Sequence, residues 1–354
     1  GPAERDAGMS AGINEALKVI ASGETLSDEQ AAGAMHLLLK GESTPEQTAG
    51  LLMGLRGRGE TIDELTAFTR VMREYAVPVQ VDDPAAIDVV GTGGDGSGTF
   101  NISTTTMFVC AGAGATVAKH GNRSVSSKCG SADVLRELGV FVDLPATEVG
   151  NCIRDAGLGF MFAPLFHPAL RFVMPVRRAL AVRTFFNILG PLCNPAGVRR
   201  GLFGAFDPDV ADTMGTILGR LGAERTFTVH SEDGLDELSI AGRTRVRFNE
   251  GTLEPRESQV MPEDLGLKRA PLSSIQGGDA TVNAAIIRDL LGGGKGAHRD
   301  VVILNAAYGL VAAGIAGTPL EGATLAAESI DSGAAGRSLE AMVTASHDHK
   351  PASA

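Results

Sequence analysis

The stretch Ile87-Asp88-Val89-Val90-Gly91-Thr92-Gly93-Gly94-Asp95-Gly96-Ser97-Gly98-Thr99-Phe100-Asn101-Ile102-Ser103-Thr104 decides how this chain folds. Residues 87–90 are β-branched or apolar around one aspartate and predict a buried strand. Five glycines follow within residues 91–98. Glycine lets successive backbone N–H groups turn inward around an anion. Asn101-Ile102-Ser103-Thr104 then leads into a helix predicted over 104–113, and a helix N-terminus favours phosphate. The literal pattern Gly91-x-Gly93-x-x-Gly96 also fits a dinucleotide fingerprint. That fingerprint needs an acid about 20 positions on, at the end of a second strand. Residues 108–118 contain none. A phosphate cradle is therefore favoured over a dinucleotide site or an ordinary glycine turn.

Working outward toward the C-terminus, short apolar runs alternate with helical stretches. Strands are predicted at 116–118, 140–142, 160–162, 201–206 and 226–230, with a helix over 132–138 closed by Gly139. Such alternation argues for a mostly parallel sheet flanked by helices. Residues 243–248 alternate charged and apolar side chains, which suits a half-exposed antiparallel strand. From Asp279 the chain is helical, broken at Gly292-Gly293-Gly294-Lys295-Gly296. That break lacks Walker spacing and is taken as a surface loop. The segment after Ser346 is polar and is expected to be a disordered tail.

Three further clusters carry chemistry. Lys119-His120-Gly121-Asn122-Arg123-Ser124-Val125-Ser126-Ser127-Lys128 follows a predicted strand and packs cations, hydroxyls and an amide into ten residues. It should lie at the same carboxyl edge of the sheet as the glycine loop, where α/β proteins bind ligands. Ser231-Glu232-Asp233-Gly234-Leu235-Asp236-Glu237-Leu238 follows another strand. Adjacent carboxylates at a strand end suit Mg²⁺, which keeps waters and needs one or two protein carboxylates beside substrate phosphates; a solvated acidic turn is the alternative. Phe166-His167-Pro168 and Val176-Arg177-Arg178 precede a rigid turn, Phe186-Asn187-Ile188-Leu189-Gly190-Pro191-Leu192-Cys193-Asn194-Pro195.

On the N-terminal side, residues 11–76 predict only helices. Ser27-Asp28-Glu29-Gln30 and Thr61-Ile62-Asp63-Glu64 are capping boxes, and Pro45 sits at a first helical position. Apolar residues recur at helical spacing, so about four helices form a small bundle. The division expected is a helical domain over 1–80, with later helices near 165–195 packing on it or at the hinge, an α/β domain over 81–345 and a tail over 346–354. At 354 residues, 44% hydrophobic and 21% charged, the chain is globular in composition. A net charge of -11 disfavours a nucleic-acid partner. Four cysteines without CxxC spacing suit reduced thiols in the cytoplasm. No apolar run reaches the ~18 residues of a membrane span, so no membrane association is expected.

As a set, GTGGD at 91–95, NIST at 101–104, KHGNRSVSS at 119–127, the FHP and VRR pieces, FNILGPLCNP at 186–195 and DGLDE at 233–237 resemble the anthranilate phosphoribosyltransferases. The resemblance runs from about residue 11 to about residue 345. It implies a small helical domain, a larger α/β domain of the nucleoside phosphorylase and phosphoribosyltransferase type, an active site in the cleft between them, and a homodimer formed through the helical domain. It implies transfer of ribose 5-phosphate from phosphoribosyl pyrophosphate to the amino group of anthranilate, with two Mg²⁺ ions. Carried over by motif, the donor is bound by Gly91, Gly94, Asp95, Thr99, Asn101, Ile102, Ser103, Thr104, Lys119, His120, Gly121, Asn122, Arg123, Ser124, Val125, Ser126, Ser127 and Ser131. Anthranilate is bound by Gly91, His120, Asn122, His167 and Arg177. Ser103, Asp236 and Glu237 are the implied metal ligands, and no dedicated general base is assigned. Leu170 departs from the pattern, standing where some members have a tyrosine near the acceptor entrance.

Overall fold

The computed structural model of the chain describes residues 2–124 and 129–353, with side chains from residue 12 onward. In chain order the helices are α1 (Pro2–Ala21), α2 (Asp28–Leu39), α3 (Pro45–Arg58), α4 (Ile62–Tyr75), α5 (Ile102–Gly112), α6 (Ser131–Glu137), α7 (Ala146–Ala156), α8 (Ala163–Phe166), α9 (Met174–Leu180), α10 (Phe186–Leu189), α11 (Pro208–Arg220), α12 (Ala280–Leu291), α13 (Ala297–Ala312), α14 (Pro319–Asp331) and α15 (Ala334–Asp348). The strands are β1 (Ile87–Gly91), β2 (Val117–Gly121), β3 (Leu158–Phe162), β4 (Arg200–Gly204), β5 (Arg225–Ser231), β6 (Thr244–Glu250) and β7 (Arg256–Val260). Residues up to Val77 together with Phe166–Cys193 make one compact unit, and Pro78–Leu165 with the chain from Asn194 make the second.

The first unit is all helix. The hydroxyls of Ser27, Thr44 and Thr61 each accept from the backbone N–H three residues on, and Gln30, Gln47 and Glu64 reach back to close the box. Each box satisfies N–H groups that the first helical turn leaves unpaired. Glu64 does more. Although fully buried, it accepts from Leu26 N at 3.0 Å and from Thr61 N at 2.9 Å, and it pairs with Arg58. Leu38, Leu51, Leu52, Leu55, Leu65 and Phe68 fill the interior. Phe68 stacks on Phe185 with ring centres 4.6 Å apart, and the Arg73 Nε donates to Leu192 O at 2.8 Å. The 166–193 segment is thereby built into the bundle.

The second unit holds a seven-stranded sheet in the order β3-β2-β1-β4-β5-β6-β7. β3, β2, β1, β4 and β5 run parallel; β6 is antiparallel to β5, and β7 is antiparallel to β6. Strands such as Ile87-Asp88-Val89-Val90 are buried because helices cover the sheet, which explains their lack of polar alternation. α13 is buried along most of its length, and α5 packs on the same core. Ser329 and Ser338 donate to the α5 carbonyls of Val109 and Phe108, each at 2.8 Å. At Gly112 α5 lies against α14 and α15: a side chain there would overlap Ser329 Oγ and the Ala334 and Ala335 backbone.

Two expectations need correction. Residues 140–142 are not a strand. After left-handed Gly139 the N–H of Val140 turns back to Leu135 O, that of Phe141 goes to Ser346 Oγ, and Pro145 starts α7. The backbone donors are spent on helix ends, while Val140 and Val142 still bury their side chains. The chain after Ser346 is not a loose tail: α15 runs to Asp348, His347 Nε2 meets Gly139 O at 2.8 Å, and His349 pairs with Asp155. The sheet also gains β7, whose exposed Arg-Glu-Ser-Gln sequence hid an edge strand. Charged edges of this kind guard against pairing with other chains.

Candidate active site

Three loops leave the carboxyl ends of β1, β2 and β5. In the first, Gly93 and Gly94 both take φ of 69°, a left-handed conformation that a side chain would strain. The loop is fixed from outside. Gly93 N donates to Asp236 Oδ2 at 2.8 Å, and the Asp95 carboxylate receives the Ser97 N–H at one oxygen and the Asp236 N–H, at 3.1 Å, at the other. Gly98 and Phe100 are held by Gly277 and Ile275, and Thr99 bridges to Gln276. Asp95 thus joins the glycine loop to the acidic loop after β5. The sequence placed these motifs at one edge of the sheet; the hydrogen bonds show them in contact.

α5 starts at Ile102, two residues before the predicted position. Ile102 points into the core, so only its backbone faces the loops. The Asn101 amide is engaged at both ends: Nδ2 donates to Cys129 O at 3.1 Å and Oδ1 accepts from Asn283 at 3.0 Å. Its role here is to join segments. The Thr104 hydroxyl is buried with no hydrogen-bond partner among the described residues. The backbone N–H of Ser103 donates to the Glu237 carboxylate.

Lys119 is almost wholly buried rather than displayed. Its Nζ donates to Val89 O at 2.6 Å and lies 3.4 Å from Ser103 Oγ, under the acidic loop. His120 is likewise buried, whereas Asn122 and Arg123 are exposed. Asp133 closes the loop after β2 by accepting from Ser124 N and Gly130 N. Ser131 opens α6 beside Gly121. Val125, Ser126, Ser127 and Lys128 lie outside the described residues.

The acidic loop is set by Asp233, which accepts from Leu235 N and Ser239 Oγ, and by Asn305 on α13, which clamps Leu238 through two hydrogen bonds of 3.0 Å. Burial, reinforced by the neighbouring Asp95, pushes the Asp236 carboxyl up to about 7. Glu237 is driven upward by burial and by Asp236, against the pull of Lys119. Asp95 moves the other way, because its hydrogen bonds to Ser97 and Asp236 outweigh its burial. Buried carboxyls forced toward the neutral form by one another are what a divalent cation would relieve. Among the described residues no group of three or more His, Cys, Asp or Glu side chains is gathered as a metal site. The pair Asp236 and Glu237 is the number of carboxylates that Mg²⁺ takes beside water and substrate phosphate.

In the helical unit, burial holds His167 down to about 4, so its ring is neutral near pH 7. Arg177 on α9 lies over the Phe186 ring, 5.3 Å from its centre. Burial lowers its pKa, though a guanidinium remains charged. Leu170 is half-buried.

Residues 14–76 match the helical bundle domain of a glycosyl transferase family, and residues 83–336 match its α/β domain. The anthranilate phosphoribosyltransferase of Salinibacter ruber is 53% identical over 342 residues, 96% of this chain and 99% of the relative. That of Moorella thermoacetica is 51% identical over 92% of this chain and 96% of its own. The chain belongs to the anthranilate phosphoribosyltransferase family. Solved structures of anthranilate phosphoribosyltransferases agree. The Thermus thermophilus enzyme superimposes with a TM-score of 0.89 at 46% identity, covering 94% of this chain and 99% of that one. The Saccharomyces cerevisiae enzyme, in complex with PRPP and Mg, gives 0.88 at 27% identity over 96% of this chain and 99% of its own. Sequence reasoning missed three residues that position this anthranilate phosphoribosyltransferase-like site: Asp133, Asn283 and Asn305. Each lies outside a glycine- or charge-rich run and acts on backbone or on another side chain, so only its contacts reveal it.

Proposed function

We infer that the chain transfers the 5-phosphoribosyl group of phosphoribosyl pyrophosphate to the amino group of anthranilate, giving N-(5-phosphoribosyl)anthranilate and pyrophosphate. This is the second step of the tryptophan branch. The observation that carries the reading is the Asp95 carboxylate, which ties the glycine loop to Asp236 at the carboxyl edge of the parallel sheet.

The glycine loop and the α5 N-terminus supply N–H groups for phosphate oxygens. Gly91, Gly94, Asp95, Thr99 and the 101–104 segment would meet the donor; Lys119 to Ser127 are assigned to it by motif, and Ser131 would add a contact. Asp236 and Glu237 would hold one Mg²⁺ and Ser103 a second. Bound there, Mg²⁺ neutralises negative charge on the departing pyrophosphate. As the bond from ribose C1 to oxygen breaks, positive charge grows on the sugar. Fixed donors around the leaving group act in the transition state without reorganising. The aryl amine is unprotonated near neutral pH, so the protein's task toward it is orientation. We assign the anthranilate carboxylate to Arg177, whose fork can hold it with two hydrogen bonds. Gly91, Asn122, His120 and a neutral His167 line the acceptor's path.

We also propose a homodimer formed through the helical unit and a cytoplasmic place, where the four buried cysteines would stay reduced. No helix among the described residues is long and apolar enough to cross a membrane. The test is pyrophosphate release from the donor with Mg²⁺ and a panel of acceptors. Release with anthranilate, and not with nucleobases, is expected. Release with another acceptor, or nucleoside cleavage by free phosphate, would assign the fold a different reaction.

A further inference from the structure

β1 and β2 begin as an ordinary parallel pair and then stop bonding backbone to backbone. Their register is set at one pair, Ile87↔Val117, where Ile87 N donates to Thr116 O at 2.9 Å. β1 pairs with β4 at five positions, and β2 with β3 at five. A parallel ladder continued from Ile87 would join Val89 N to Ala118 O and His120 N to Val89 O. All four of those groups instead bond to side chains. Val89 N and His120 N donate to the Asp88 carboxylate, the latter at 3.3 Å. Val89 O accepts from Lys119 Nζ at 2.6 Å, and Ala118 O accepts from Asn194 Nδ2 at 2.9 Å. Asn194 also donates to Asp88 Oδ2 at 2.8 Å, and its own Oδ1 accepts from Ala196 N at 2.8 Å, which fixes the amide's orientation. No buried backbone group is left unpaired by the exchange.

We propose that Asn194 and Asp88 are positioning residues for the phosphoribosyl donor: standing in the β1–β2 ladder with Lys119, they set the spacing between the glycine loop that ends β1 and the loop that ends β2. Asn194 belongs to the Cys193-Asn194-Pro195 turn, which the reaction chemistry leaves without a task. A hydrogen-bonded side-chain insert of fixed geometry is stiffer than an open gap. It stands a few residues upstream of both donor loops. The inference rests on the phosphoribosyl-transfer reading, and wild-type turnover reports separately on that reading.

The test compares wild type, Asn194→Ala and Asp88→Asn. The readouts are thermal melting, calorimetric binding of phosphoribosyl pyrophosphate with Mg²⁺, both Michaelis constants, and amide exchange across 117–121. Asn194→Ala should weaken donor binding and raise the donor KM about tenfold, leave the anthranilate KM within about twofold, and speed exchange at His120. Asp88→Asn keeps an acceptor for His120 N but sets one amide N–H₂ against that of Asn194, and should weaken donor binding in the same selective way. A folded Asn194→Ala with unchanged donor affinity, or with both KM values rising in step, overturns the proposal. If Asn194→Ala does not fold, Asp88→Asn decides: donor affinity lost about tenfold with the anthranilate KM kept supports the proposal, and unchanged donor affinity contradicts it.

Discussion

At the scale of single residues, the site works through charges that the fold keeps in uncomfortable places. Asp236 and Glu237 are buried beside each other and beside Asp95, with Lys119 as the cation that faces them. Replacing Asp236 with Asn should lower turnover by about a hundredfold or more, since charge stabilisation on the leaving group is what the acid supports. The protein should stay folded by circular dichroism. Wild-type turnover in that variant would remove Asp236 from the metal site. Arg177→Ala should raise the anthranilate KM by about tenfold while leaving the donor KM nearly unchanged, because a two-pronged carboxylate contact is lost. Steady-state kinetics with each substrate varied in turn would check it, and equal effects on both would move the acceptor elsewhere. Much of this was legible: the acids after β5 and the glycines after β1 stand out by density. Burial of Lys119 was not, because a lysine in a basic run looks solvent-facing until a carbonyl such as that of Val89 is found at its tip. Asp88 was hidden for the same reason, as a lone acid inside an apolar strand.

At the scale of elements, local chemistry fixed what stood where. The Thr61 hydroxyl and the Glu64 carboxylate cap α4 reciprocally, and Glu64 also carries Leu26 and Arg58. Thr61→Ala should destabilise the helical unit by about 1 kcal/mol, read as a lower denaturation midpoint. Glu64→Ala should cost clearly more, about 3 kcal/mol, because it strands a partly buried Arg58. Equal losses would mean that Glu64 is only a cap. Capping boxes were readable because both partners lie within one turn of sequence. The run 140–142 was misread because β-branched residues also serve a buried connector whose N–H groups bond to a helix end and to Ser346. β7 was overlooked because charge on an edge strand erases the apolar signal. The replaced β1–β2 ladder was beyond sequence reasoning altogether, since its parts come from residues 88, 119 and 194.

At the scale of the whole molecule, an acidic protein of net charge -11 has to receive a highly anionic donor. The local sign must therefore be reversed by Mg²⁺ and by backbone N–H groups. This has a consequence for stability. Burial raises the Asp236 carboxyl from 3.8 to about 7, so the folded form keeps a proton there that the unfolded chain has released. Fewer protons bound in the unfolded state means that stability falls as pH rises across that window. Asp236→Asn removes this term. Its melting temperature relative to wild type, both without metal, should rise as pH goes from about 5 to about 8. A difference that stays constant with pH would show that Asp236 ionises normally. Anthranilate fluorescence on mixing protein, anthranilate, phosphoribosyl pyrophosphate and Mg²⁺ reports the transfer itself, with background kept low because the chain contains 0 Trp. The signal should fall only when both the donor and Mg²⁺ are present, and the fall should nearly vanish in Asp236→Asn. No loss with folded protein and fresh donor, or an equal loss without Mg²⁺, would contradict Mg²⁺-dependent transfer to anthranilate.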